Sequence, residues 1–283
     1  MIPEIEKQSI SKIKEFQEQK LKEVLQYVNE NSPFYSRLFE THDISISNII
    51  LLEDLLKIPP TTKDDLQFYN DDFLCVSKQD IIDYTTTSGT LGTPTTIALT
   101  NSDLDRLALN EALSFNCAGI TKKDTIQLMT TLDKQFMAGI AYFLGARHLG
   151  AGIIRTGSGV PELQLDSILK YSPSYLIAVP SFLLKLIDLA NLKNIDINSS
   201  GVKGVICIGE PIRNDDFTLN TLGLKITKHW DISLYSSYAS TEMNTAFTEC
   251  SHQNGGHQHP ELIIVEILNE DNLPVKNGDI GEL

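Results

Sequence analysis

The chain has 283 residues, 41% hydrophobic and 21% charged, enough for one large or two smaller globular domains with a sizeable core. Lys and Arg number 23 against 37 Asp and Glu, and the formal net charge of -14 argues against a nucleic-acid scaffold while leaving room for a phosphate held by backbone amides. Cys75, Cys117, Cys207 and Cys250 lie far apart with no CxxC pair, which argues against a disulfide framework and suits a reducing cytoplasm, the expected location. The charged stretch from Met1 to Lys20 has no apolar core of the signal-peptide kind, and no run of roughly 18 apolar residues predicts a membrane span.

From about Glu4 to Asn29, Ile10, Ile13, Phe16, Leu21, Val24, Leu25 and Val28 recur mostly at steps of three and four, predicting an amphipathic helix packed on the main body. Ser32-Pro33-Phe34-Tyr35 opens a second, short helix, and residues Ile44 to Leu56 predict a third. Pro59-Pro60 then stiffens a turn, and the Thr61-Thr62 pair supplies a cap ahead of a further helix.

Beyond Thr96 the pattern is α/β. Helices are expected over Ser102–Ala118, Phe136–Leu149, Leu163–Lys170 and Pro180–Ala190, and apolar strands over Thr125–Met129, Ile153–Ile154, Tyr175–Val179 and Val202–Ile208. Such alternation predicts a mainly parallel sheet flanked by helices. An apolar run from Leu262 to Leu268, a turn at Asn269–Asn272 and a continuation to Leu283 predict a terminal antiparallel ribbon. The expected division is a helical N-terminal segment over 1–75 and an α/β region over 76–283.

Three loops carry candidate chemistry. Thr85 to Thr96 places Gly89 and Gly92 among Thr and Ser residues between two apolar pieces, where bare amides and hydroxyls suit an anion. It fits neither the Walker pattern nor the three-glycine dinucleotide fingerprint, and a Thr-rich surface hairpin is the alternative. Gly209-Glu210-Pro211 and Tyr238-Ala239-Ser240-Thr241-Glu242 follow predicted strands, at whose carboxyl ends ligands collect.

In order and content these loops resemble the phosphate loop, the Gly-Glu-Pro turn and the Tyr-Gly-x-Thr-Glu motif of the adenylate-forming acyl-CoA synthetase superfamily. Ser32 to Tyr35, Pro60 to Leu66 and Thr95 are most similar to phenylacetate:coenzyme A ligases. The resemblance implies the family's large N-terminal domain and a two-step reaction: a carboxylate and ATP give an acyl adenylate and pyrophosphate, and coenzyme A thiol then attacks. It implies that Thr87, Ser88, Gly89, Thr90, Gly92, Thr93 and Thr95 hold phosphates, while Gly209, Glu210, Pro211 and Tyr238 flank adenine. Thr241 would bond the α-phosphate, and Glu242 would ligate Mg²⁺, which prefers hard oxygens. Phe136, Ala138 and Gly139 correspond to the acyl pocket, with plain helix packing as the alternative. The expected partners are a small carboxylic acid, ATP and CoA, with a homodimer left open.

Cys250, His252, His257 and His259 crowd into ten residues and suit Zn²⁺, although the spacing is not that of a zinc finger; a polar surface loop is the alternative. Cys250 and His257 resemble half of a zinc site found in some relatives, whose later Cys-x-Cys has no counterpart here. Ala239 stands where the family has Gly, and Leu91 where it has Thr. The chain ends at Gly281-Glu282-Leu283, before the positions where the family carries its ribose-binding Asp, hinge and lysine-bearing lid domain. By family analogy it is therefore expected to be the N-terminal part of a longer protein, weak or inactive by itself. Two other readings stand beside it: a non-catalytic nucleotide-binding module, and acyl transfer to a carrier protein or amine.

Overall fold

The computed structural model describes residues 2–87, 89 and 94–283. The chain forms two compact units, one of Ser102–Gln258 and one joining Ile2–Asn101 to His259–Leu283. This differs from a division at 75/76. The hairpin β1 (Ile81–Thr86) and β2 (Thr96–Thr100) forms a sheet of its own rather than joining the large one. It is tied back to the helical segment by Asn70, whose Nδ2 donates to Thr96 O at 2.8 Å.

In the unit holding the N-terminus, local signals set the helix ends. The helix α1 (Ile10–Asn31) starts at the Ser9 cap, and α2 (Pro33–Thr41) follows Ser32, whose Oγ accepts from Tyr35 N–H. In α3 (Lys63–Phe68), Thr62 and Asp65 form a reciprocal capping box. The helix expected over 44–56 does not form. Two 3-10 turns, Ile46–Asn48 and Leu52–Lys57, replace it, because Ile46, Ile49, Leu52, Leu55 and Ile58 meet the α1–α2 core at a period of three rather than 3.6. Asp54 also draws the Ile50 and Leu51 amides to its carboxylate, each at 2.9 Å.

The ribbon expected at 262–283 is reduced to isolated antiparallel bridges. Leu262 and Ile263 N–H both turn back to His259 O, and Gln17 Nε2 takes the Pro260 and Ile263 carbonyls, so no strand forms over 262–268. Pairing begins only at Leu268, which bridges to Pro274 and Glu282.

The other unit is a covered sheet. After α4 (Asn101–Cys117), five strands alternate with helices: β3 (Thr125–Leu128), α5 (Met137–Leu149), β4 (Gly152–Arg155), α6 (Pro161–Tyr171), β5 (Tyr175–Ala178), α7 (Pro180–Leu192), β6 (Gly204–Cys207), α8 (Thr221–His229) and β7 (Ser233–Ser240). Their spatial order is β4-β3-β5-β6-β7, all parallel, and β8 (Thr245–Glu249) and β9 (Gly256–His257) extend the sheet antiparallel. Side-chain alternation separates two cores. Leu176, Ala178, Val205 and Cys207 pack toward α6, α7 and α8, while Tyr175, Ile177 and Ile206 pack with residues of α4 and α5 such as Phe115 and Tyr142. Burial on both faces explains why β5 and β6 read as unbroken apolar runs. The chain passes from β3 outward to β4 and returns to β5 on the other side, a topological switch of the kind where α/β sheets bind ligands. Among the described residues, no helix is long and apolar enough to cross a membrane.

Candidate functional site

Two of the three loops leave one edge of the large sheet. Since β6 and β7 run parallel with Cys207 opposite Ser236, the turn at Gly209–Pro211 and the stretch Tyr238–Glu242 both lie beyond the carboxyl ends of that pairing. Gly209 adopts φ +74°, a left-handed conformation that glycine takes freely. That turn aims Glu210 back at α7, where Ser181 N–H and Oγ–H each donate to its carboxylate at 2.8 Å. Glu210 thus caps the start of α7 from 29 residues away, a role no local pattern signals.

Tyr238 is 56% exposed and lies nearly parallel to its strand partner Phe247, with centroids 6.4 Å apart. Both rings line a cavity of about 380 Å³ with Arg213, Asn214, Glu249 and Gly255. Arg213 is the anchor of this wall. Its Nε donates to Glu249 Oε1 at 2.6 Å and its Nη2 to Leu234 O, while Ser236 N–H donates to Glu249 Oε2 at 2.8 Å. This buried ion pair ties the chain after β6 to β7 and β8 next to Tyr238. Sequence reading missed it, because Arg213 and Glu249 are ordinary charged residues 36 positions apart.

Thr241 and Glu242 occupy the turn from β7 to β8, which α4 braces. Arg106 donates to Asn244 O at 2.5 Å, and Asn110 pairs with the Ala246 backbone. Glu242 is exposed, and among the described residues no hydrogen bond or ion pair engages its carboxylate. A hard anionic donor on a braced turn fits a divalent cation carried by a phosphate ligand.

The hydroxyl-glycine loop lies in the other unit, between β1 and β2. These strands pair antiparallel to Thr86 and Thr96, and Thr87 continues the pairing: its N–H donates to Thr95 O and its Oγ1 accepts from Thr95 N–H, each at 3.0 Å. Both threonines are buried, and among the described residues Thr95 Oγ1 has no hydrogen-bond partner. Gly89 has φ +65°. Ser88, Thr90, Gly92 and Thr93 lie outside the described residues, as does Leu91.

Phe136 precedes α5 and is 38% exposed, Ala138 packs against the core shared with α4, and Gly139 is buried. A Cβ at Gly139 would stand 2.0 Å from Thr131 O, so the glycine permits close approach of α5 to the chain after β3. The packing alternative therefore has direct geometric support at this position. Cys207 is buried, and burial pushes its thiol well up, which disfavours a thiolate there.

The Cys/His stretch does not assemble as a metal centre would. His252 N–H donates to Cys250 Sγ at 3.4 Å and His257 is exposed on β9, but Cys250, His252 and His257 are not gathered into a ligand group. Among the described residues, the one group of three ligand atoms within 4.8 Å of one another is that of Glu6, His259 and Glu261.

The sequence pattern of the AMP-binding enzyme family matches residues 5–283. The chain belongs to the AMP-binding enzyme family. This AMP-binding chain is 28% identical over 289 residues to the phenylacetate-coenzyme A ligase of Escherichia coli (strain K12), matching 99% of this chain and 64% of that protein. It is 26% identical over 292 residues to the enzyme of the same name from Pseudomonas putida, again matching 64% of the relative. The chain thus spans less than two thirds of these relatives' length. A crystal structure of 2-hydroxyisobutyryl-CoA ligase in complex with 2-HIB-AMP and CoA aligns at TM-score 0.85 and 24% identity, covering 96% of this chain and 59% of that one. That likeness shows the same α/β fold.

Proposed function

We propose that the protein carrying this chain activates an aryl or acyl carboxylate with ATP, forming an acyl adenylate and then a CoA thioester, as a phenylacetate-CoA ligase does. The observation that carries this reading is the placement of Gly209–Pro211 and Tyr238–Glu242 at one carboxyl edge of the parallel sheet, braced by Arg213–Glu249 and by α4. Relatives of that name match along nearly the whole chain and support it.

The roles follow from donor chemistry. Amides and hydroxyls of Thr87, Ser88, Gly89, Thr90, Gly92, Thr93 and Thr95 grip the β- and γ-phosphates. Tyr238 stacks on adenine, and Gly209, Glu210 and Pro211 line its other side. Glu242 would hold Mg²⁺, whose chemistry there would be charge neutralisation at the phosphate oxygens. Thr241 bonds the α-phosphate while the carboxylate oxygen attacks phosphorus, the P–O bond to pyrophosphate breaks and an acyl–phosphate bond forms. Phe136, Ala138 and Gly139 border the acyl group. Thiol attack on the adenylate carbonyl then expels AMP. No protein nucleophile is needed, so catalysis rests on positioning and charge neutralisation. The working location is the cytoplasm, where ATP and CoA are supplied. Zinc at Cys250, His252, His257 and His259 has less support, since the first three do not converge.

A thermal-shift screen tests the reading. Mg²⁺-ATP should raise Tm, and an aryl carboxylate should raise it further by forming the bound adenylate with pyrophosphate release. No shift with nucleotide and no pyrophosphate release across a broad acid panel would refute it.

A further inference from the structure

Glu6 and His259 meet across 253 residues of sequence: His259 Nδ1 lies 2.6 Å from Glu6 Oε1. His259 is only 2% exposed, and among the described residues its Nε2 has no hydrogen-bond partner. Glu261 stands beside this pair, and both of its carboxylate oxygens are buried without a hydrogen bond. One ligand atom from each of the three residues lies within 4.8 Å of the others. Buried polar atoms left without hydrogen bonds, here His259 Nε2 and both Glu261 carboxylate oxygens, are costly unless a proton or cation offsets them.

We propose that Glu6, His259 and Glu261 form a binding site for a borderline divalent cation such as Zn²⁺. One imidazole and two carboxylates are a donor set for Zn²⁺ and its first-row neighbours, whereas Mg²⁺ and Ca²⁺ prefer oxygen alone. Zinc with ligands at roughly 2.1 Å sets tetrahedral donors about 3.4 Å apart, so the Glu6–His259 pair opens from its 2.6 Å hydrogen bond into coordination while Glu261 closes toward them. The remaining coordination position goes to water. The site clamps the 3-10 turn Ile5–Lys7 against the His259–Ile263 stretch that α1 already holds through Gln17. It is separate from the residues assigned to adenylation, and it uses His259 without Cys250, His252 or His257.

Metal content and Zn²⁺ affinity of the chain test the site directly. The protein purified without chelator should carry about one equivalent of Zn²⁺, or take it up after chelation with a rise in Tm. Glu261→Gln and Glu6→Gln keep side-chain size and should each weaken Zn²⁺ binding at least tenfold. Glu6 is partly exposed near the N-terminus, so its variant tests the site even if the Glu261 variant misfolds. The Cys250→Ser/His257→Ala double variant should retain the metal, and excess Mg²⁺ should not compete. Less than about 0.2 equivalents with no Zn²⁺-dependent change in Tm would overturn the proposal. So would full affinity in the Glu6→Gln variant, or loss of metal in the double variant. None of these outcomes depends on ATP binding, so the adenylation reading stands or falls separately.

Discussion

Asn110 of α4 and Ala246 of β8 exchange two hydrogen bonds: Ala246 N–H donates to Asn110 Oδ1 at 2.8 Å, and Asn110 Nδ2 donates to Ala246 O at 3.4 Å. A fully buried helical amide thus substitutes for a strand neighbour and fixes the turn bearing Glu242. Asn110→Ala leaves both Ala246 groups unpaired, which should cost about 1–3 kcal/mol by chemical denaturation. Mg²⁺-ATP affinity should fall in the same variant, because the turn loses its brace.

The Arg213–Glu249 pair predicts an asymmetric mutational pattern. Arg213→Met strands a carboxylate whose side chain is 2% exposed and should destabilise by about 3–5 kcal/mol. Adding Glu249→Leu removes that charge, and the double variant should recover part of the loss in urea unfolding. If the effects simply add, the pair does not act as one unit.

Glu111, inside α4, carries a carboxyl that burial pushes up to about 8 from an ordinary 4.5. The folded state then holds a proton that the unfolded state releases between these values. Stability contributed by this group is present below about 4.5 and is lost as pH rises toward 8. The slope within that window should approach 1.4 kcal/mol per pH unit at most, roughly. In Glu111→Gln, Tm measured from pH 5 to 8 should lose this component.

Gly209 predicts a conformational cost rather than a steric one. The nearest atom to an added Cβ is Val179 Cγ2 at 4.0 Å, yet φ is +74°. Gly209→Ala should destabilise by about 1 kcal/mol. It should also displace Glu210 from Ser181, detectable as faster amide exchange at the start of α7.

What could be read from the sequence was chiefly local. The Thr cap after Pro59-Pro60, and Pro180 opening α7, announce helix starts within a few residues, and the apolar runs of β5 and β6 announce strands covered on both faces. Residues 44–56 misled because an apolar period of three resembles that of an α-helix over so short a span. The run at 262–268 misled because the tertiary bonds of Gln17 decide its backbone. Of the candidate site, the family-like loops were legible, but the groups that brace them were not. Glu210–Ser181, Arg213–Glu249 and Asn110–Ala246 join positions far apart in the chain and carry no motif.

Carboxylate-dependent exchange of labelled pyrophosphate into ATP, compared between the natural protein and its Glu242→Gln variant, tests adenylation most directly. Phenylacetate or a related aryl acid should support Mg²⁺-dependent exchange, reduced at least about a hundredfold by the substitution. No exchange with any acid of a broad panel, or undiminished exchange in Glu242→Gln, would contradict the assignment.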